Sequence, residues 1–246
     1  MKRHSIGIIG YGHFGAFVYM LLRLFAPQVR VRVYAPRRAV TGRKFCSLAD
    51  VCASDAVVMA VPIAKYKDVL LRILPLIRKD TIIVDVATVK VYTVQLLRRH
   101  AKGRRWLAIH PMFGPESFRK ARGNVRGFRI ALCAHSRVPA ELLEFLRVFV
   151  TRRNFMVVRM GAHVHDRHGA ASLFRTHYLA QVARRDEFCR TVIDTVSFGF
   201  LMDAFESVWH DKRLFRDVYK YNRYCEEIRM RIKRAMSAVD AELRAG

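Results

Sequence analysis

Apolar and polar positions along the first two-thirds of the chain follow two alternating periods. Residues 5–9, SIGII, form a short apolar run, and VRVRVYAP at 29–36 alternates residue by residue, as a half-buried strand does. Further apolar runs at 56–62, 81–88, 106–110, 128–133 and 155–160 have strand length. Helical patterns separate them. One covers about 13–25, and the short SLADVCASD has Ser47 as its N-cap. AKYKDVLLRILPLI and VYTVQLLRRHA follow, and PAELLEFLRVFVTR begins with Pro139 at a helix start. Strands alternating with helices predict a mostly parallel sheet covered on both faces, a doubly wound α/β domain over residues 1–159.

The pattern changes after about Arg159. Glycine and proline nearly vanish, and every remaining segment has helical spacing. HVHDRHGAASLFRTHYLAQVARR reads as one helix, FCRTVIDTVSFGFLMDAFESVW as one or two, and the segment from Lys212 through Leu243 as a single long terminal helix. This predicts a smaller all-helical domain over 160–246. A unit of that size is marginal alone, so it is expected to pack on the first domain or on a second subunit, as a homodimer.

Composition changes this picture in one respect. Lys and Arg number 45 against 20 Asp and Glu, a formal charge of +25. Such a balance favours anionic partners: phosphorylated cofactors, carboxylate substrates or nucleic acid. The arginines are spread along the whole chain. The densest clusters, RRHAKGRR and RMRIKR, are short and read as solvated faces, so no specific nucleic-acid site is expected, with a nucleic-acid-binding role kept as the alternative. No apolar run reaches the roughly 18 residues of a membrane span. The chain enters its strand pattern within five residues, so neither a signal nor a transit peptide is expected; the expected location is cytoplasmic, or a plastid if a transit peptide was removed. The five cysteines are scattered without C-x-x-C, which predicts reduced, buried thiols and no metal site.

The chemistry starts at Gly10-x-Gly12-x-x-Gly15, directly after the first strand and directly before a helix. In that context the motif predicts a Rossmann-type dinucleotide site. Gly10 allows the tight turn, Gly12 lets a pyrophosphate approach, and Gly15 lets helix and strand pack closely. His13 and Phe14 open the helix whose N-terminus faces the phosphates, and Val61 and Pro62 end the third strand beside it. A site for NAD usually carries Asp or Glu at the end of the second strand. Here that strand runs into VYAPRR, so Arg37 and Arg38 predict NADP, with NAD as the alternative.

Four stretches combine in order: IGIIGYGHFG, DVATVK, IHPMFGPES and HDRHGAASLFRTH. Together they resemble the prephenate/arogenate dehydrogenase family of tyrosine biosynthesis, most of all its plant and cyanobacterial arogenate type. The resemblance covers nearly the whole chain. It implies oxidation of a cyclohexadienyl carboxylate at its hydroxyl-bearing ring carbon, with hydride passing to the cofactor and loss of CO₂. It makes His110 the base at that hydroxyl. Thr88 stands where the family usually has serine, and its hydroxyl is expected to orient His110 or bond the substrate. By the same resemblance Glu116 borders the substrate entrance and His177 contacts substrate. Lys90 takes no assigned role.

His165 and His177 are twelve apart; at 100° per residue they do not share one helix face, so they are not a metal pair. One departure from the family stands out. Some prephenate-specific members carry a carboxylate-gripping arginine at a position that corresponds here to Glu206. Arg175, Arg213 and Arg216 are the candidates to replace it. A catalytically impaired member that only binds nucleotide or ligand is the alternative reading.

Overall fold

Seven strands form one sheet in the computed structural model, which describes residues 4–245. They are β1 (Ser5–Ile9), β2 (Arg30–Tyr34), β3 (Ala56–Met59), β4 (Ile82–Asp85), β5 (Arg105–Pro111), β6 (Arg129–Ser136) and β7 (Met156–Arg159), in the order β2-β1-β3-β4-β5-β6-β7. The first five are parallel; β5 pairs antiparallel with β6, and β6 parallel with β7. The order reverses at β1, which lies between β2 and β3. Ligands of open α/β sheets bind at such a switch point, outside the carboxyl ends of the strands.

Helices α1 (His13–Phe25), α2 (Leu48–Cys52), α3 (Ile63–Ile73) and α4 (Lys90–His100) join the parallel strands. The cap expected at Ser47 is present: its hydroxyl accepts from Asp50 N, and the Asp50 carboxylate accepts in return from Ser47 N. Ile9, Val57, Met59, Tyr66, Leu70, Ile83 and Leu97 are all but sealed from solvent in one core cluster, and Ile8 and Val33 anchor another. Successive strand residues alternate sides, so each buried pair of neighbours feeds both faces. The link from β5 to β6 carries only α5 (Pro115–Lys120), and α6 (Ala140–Thr151) lies between β6 and β7. Six helical residues span about 9 Å, too little for the crossover a parallel connection needs.

The chain divides into two compact units, the first ending at Ala162 and the second starting at His163. The second contains the rest of α7 (Ala162–Gly169), a π-helical segment at Ala170–Phe174, then α8 (Arg175–Arg185), α9 (Val196–Glu206), α10 (Lys212–Tyr221) and α11 (Cys225–Ala245). The single terminal helix expected from periodicity is therefore two. Asn222 breaks it: its Nδ2 donates to Asp166 O at 2.8 Å and its Oδ1 accepts from Tyr224 N at 3.1 Å. A side chain that satisfies backbone groups in this way competes with the helix. Among the described residues no helix is long and apolar enough to cross a membrane.

Candidate active site

Strand register lines up one edge of the first unit. Ile9 pairs with Met59, Met59 with Asp85, and Asp85 with Ala108, so β1, β3 and β4 end side by side while β5 runs on to Pro111. The glycine turn, Val61–Pro62, the turn carrying Thr88, and His110 all follow that row directly.

The three glycines of the turn differ in what they require. Gly10 has φ +101°, and a Cβ there would lie 2.2 Å from Ala60 O. Gly10 N donates to Tyr34 O at 2.9 Å, tying the turn to β2. Gly15 packs so closely that a Cβ would meet Gly10 O at 2.2 Å. Gly12 is the N-cap of α1, with no side-chain cap and nothing within 4 Å of a Cβ position. An uncapped N-terminus leaves backbone donors and positive dipole facing open space. Beside it lies a small apolar pocket of about 90 Å³, lined among others by Gly10, Tyr34, Pro36, Val61, Val69 and Arg72. These residues fit a dinucleotide: donors at the helix start and a flat apolar recess against β2. His13 is exposed at the first position of α1, while Phe14 is half-buried against Phe17 at 6.2 Å. Arg37 and Arg38 are exposed on the turn after β2.

His110 is nearly buried, 7% exposed, and faces Ala131 across the antiparallel pair. The β5–β6 register shifts between Ala108 and Ile109, one residue before it. Such bulges re-aim side chains and recur next to active sites. Pro111 stays in the strand, opposite Ile130. Gly114 caps α5 and Pro115 is its first residue, a favoured place for proline. The exit from the strand is fixed by Phe113, whose ring stacks on Phe128 at 4.9 Å and on Phe155 at 5.5 Å. Thr88 is half-buried in the turn between β4 and α4. Glu116 is exposed on α5 and paired with Arg119 at 2.6 Å.

Sequence reasoning missed the polar core of this edge. Asp85 and Lys90 are fully buried and paired at 2.8 Å, and Thr93 Oγ1 donates to the same Asp85 oxygen at 2.6 Å. A lysine among apolar neighbours in DVATVKVYTVQ was the available signal, since lysine is almost never fully buried unless paired.

In the helical unit, His165 Nδ1 lies 2.8 Å from Asp166 Oδ1, both buried. The π segment falls between His165 and His177, so a count at 100° per residue does not carry from one to the other, and the phase argument made from spacing fails. Among the described residues no group of three or more potential ligands could hold a metal. His177 is buried, its Nδ1 has no hydrogen-bond partner, and burial pushes its pKa below the usual 6.5, with Asp211 opposing. Arg175 also buries an unpartnered Nε. Arg213 is exposed and 3.9 Å from Asp217, and Arg216 is exposed. Glu206 is held by Arg190 at 3.2 Å.

The sequence profile for the prephenate dehydrogenase nucleotide-binding domain matches residues 31–157, more than half of the chain. The chain belongs to the prephenate dehydrogenase family. Arogenate dehydrogenase 1, chloroplastic, of Arabidopsis thaliana is 31% identical over 254 residues, covering 97% of the chain and 39% of that relative's own length. The cyclohexadienyl dehydrogenase of Zymomonas mobilis is 25% identical over 235 residues, covering 88% of the chain and 80% of the relative. In fold, the chain is similar to the prephenate dehydrogenase of A. aeolicus solved with hydroxyphenyl propionate and NAD⁺, with a TM-score of 0.77 at 15% identity over all of the chain and 92% of that structure. The Synechocystis arogenate dehydrogenase gives 0.67 at 15% identity, over 97% of the chain and 93% of that structure. Residues 31–157 are thus a nucleotide-binding domain of the prephenate dehydrogenase type, the chain spans about two-fifths of the length of its Arabidopsis relative, and the Rossmann-type sheet with its helical second part agrees with the fold expected from sequence.

Proposed function

We propose that the chain oxidises and decarboxylates arogenate, or the closely related prephenate, with NADP as hydride acceptor. One observation carries this reading: a nearly buried histidine lies near the carboxyl end of β5, on the same sheet edge as a glycine turn built for a dinucleotide. Gly10, Gly12, Gly15, Val61 and Pro62, with the start of α1 at His13 and Phe14, hold the cofactor, and Arg37 and Arg38 meet its 2′-phosphate. When bound, the nicotinamide supplies the site that accepts hydride.

His110 then takes the proton from the ring hydroxyl as hydride leaves the carbon that bears it. The C–O bond becomes a carbonyl, the ring carboxylate departs as CO₂, and the electron pair it releases aromatises the ring. An imidazole suits this step because its ordinary pKa lies near neutrality. Thr88 orients His110 or bonds the same hydroxyl. From the helical unit His177 contacts substrate, and its neutral imidazole acts there by hydrogen bonding rather than by charge. Arg175 is the best of the three arginines for a substrate carboxylate, because its buried Nε has no partner within the protein. Glu116 borders the entrance. The chain acts as a homodimer joined through its helical unit, where Val192, Ile193, Val196 and Phe200 are exposed.

Initial rates with prephenate and arogenate, each with NAD and NADP, test the assignment. The expected result is turnover with arogenate and NADP. In His110→Asn, kcat is expected to fall by roughly 10²–10⁴-fold, the usual worth of a general base, with nucleotide affinity unchanged. Turnover that survives in His110→Asn, or a wild-type chain inert toward both acids, overturns it.

A further inference from the structure

An ion pair is sealed inside the first unit at the end of β4. Lys90 Nζ lies 2.8 Å from Asp85 Oδ2, and neither side chain has any exposed surface. Each partner reaches further. Lys90 Nζ donates to the carbonyl oxygen of Ile109 at 2.7 Å. Asp85 Oδ1 accepts from the backbone N–H of Ala87 at 2.9 Å, and Oδ2 accepts from Thr93 Oγ1 at 2.6 Å. Ile109 immediately precedes His110, and Ala87 immediately precedes Thr88.

These bonds act where pairing with β4 ends and the ladder to β6 is shifted. The last β4–β5 pair is Asp85 with Ala108, so Ile109 lies beyond the end of β4. On the other side of β5 the register breaks between Ala108 and Ile109. From Ile109 to Pro111 the strand is held on its β6 side alone, and on its β4 side an ammonium donating to Ile109 O stands where a strand partner would.

Stability does not account for the pair. Taking two charges out of water costs about as much as their attraction returns, and well-packed neutral residues often do as well or better in such a place. Directional, charge-assisted bonds do supply what apolar packing lacks, a fixed geometry. We infer that Asp85 and Lys90 are positioning residues that hold Thr88 and His110 at a set separation through the Ala87 amide and the Ile109 carbonyl. This rests on the roles proposed above for Thr88 and His110.

The test is the charge-neutral double variant Asp85→Asn/Lys90→Met beside Lys90→Met alone. The side-chain amide oxygen that replaces the carboxylate can still accept from Ala87 N, so the double variant loses the bond to Ile109 without leaving a lone buried charge. The single variant is expected to melt well below wild type and the double variant to recover most of that loss. In the double variant kcat is expected to stay at least tenfold down, with KM within about threefold and nucleotide affinity unchanged. Exchange of the backbone amides of Ile109, His110 and Met112 is expected to quicken at least tenfold. A merely structural role predicts that kcat returns together with the melting temperature, and that result overturns the inference. Should the double variant fail to fold, Thr93→Val removes one hydrogen bond and no charge. It is expected to lower kcat several-fold and quicken the same exchange, and wild-type values for both overturn the inference. A wild type without turnover sinks the proposed function instead, and the exchange measurement still decides the positioning role.

Discussion

The carbonyl oxygen of Gly10 sits 2.2 Å from where a Cβ on Gly15 would be. That separation is far inside van der Waals contact, so the turn and the first helical residues are locked by the absence of side chains at both places. Gly12, between them, has open space around its Cβ position and an ordinary φ of −75°. The fold therefore demands Gly10 and Gly15, whereas only a ligand would demand Gly12. Gly15→Ala is expected to cost about 1–3 kcal/mol, the usual range for overpacking a tight core, and to lower the Tm accordingly. Gly12→Ala is expected to leave the Tm within error and to weaken NADP binding at least tenfold in a fluorescence titration. Undiminished nucleotide binding by Gly12→Ala would count against a pyrophosphate at this turn.

The proposed preference for NADP over NAD is tested at the end of β2. Tyr34, Ala35 and Pro36 supply no carboxylate to a ribose, and Arg37 and Arg38 follow on an exposed turn. Charge-assisted hydrogen bonds to a phosphate are worth about 1.5–3 kcal/mol each, or roughly 10–100-fold in affinity. Arg37→Ala/Arg38→Ala is expected to raise the Kd for NADP by that factor while leaving NAD unchanged. The preference should also shrink at high salt, since exposed charges are screened. Parallel loss of both cofactors would mean that the two arginines do not read the 2′-phosphate.

The chain's periodicity made much of this visible. The strand runs, the glycine turn, the Ser47 cap and the helical second part could be read because each is a local pattern with a local cause. The row of residues formed by Ile9, Met59, Asp85 and Ala108 could be expected in kind from the topology but not in register. What stayed hidden depends on contacts distant in sequence. Lys90 looks like an ordinary first-turn lysine until β5 brings Ile109 to it, 19 residues on. Phe113 reads as part of a proline loop until Phe128 and Phe155 stack on it. The break at Asn222 needed Asp166, 56 residues earlier, as an acceptor. The π segment leaves no mark in hydrophobic spacing at all.

Four exposed apolar side chains fall close together in sequence at the start of α9: Val192 and Ile193 before it, and Val196 and Phe200 on it. Single exposed apolar residues are normal, whereas a run of them is what an interaction surface requires. A second copy is the simplest occupant, since the same patch then meets itself across a two-fold axis. Light scattering is expected to give twice the chain mass of 28.5 kDa. Val196→Asp/Phe200→Asp is expected to give the single-chain mass with little loss of secondary structure. A wild type that elutes as a monomer at tens of micromolar, or a variant that stays dimeric, removes this surface from the interface.

His177 ties the stability of the helical unit to pH in a direction that can be worked out. Burial lowers its folded-state pKa below the 6.5 of a free histidine, Asp211 pulling weakly the other way. Above pH 6.5 the ring is neutral both folded and unfolded, and it contributes no pH dependence. As the pH falls through 6.5 the unfolded chain takes up the proton first, because the folded ring resists it. The unfolded state then binds more protons than the folded one, so unfolding is favoured progressively until the folded pKa is passed. The unpartnered Nδ1 sharpens the case, for no hydrogen-bond acceptor stands ready to stabilise an imidazolium there. Urea unfolding followed at pH 7.5 and pH 5.5 should therefore show a lower midpoint at the acid value. In His177→Gln, which keeps a polar side chain but cannot titrate, the difference between the two midpoints should narrow. The other histidines contribute equally to both proteins, so the comparison isolates this ring. If wild type and variant lose the same stability between the two pH values, His177 is not desolvated in the folded chain, and the substrate contact proposed for a neutral imidazole at that place loses its physical basis.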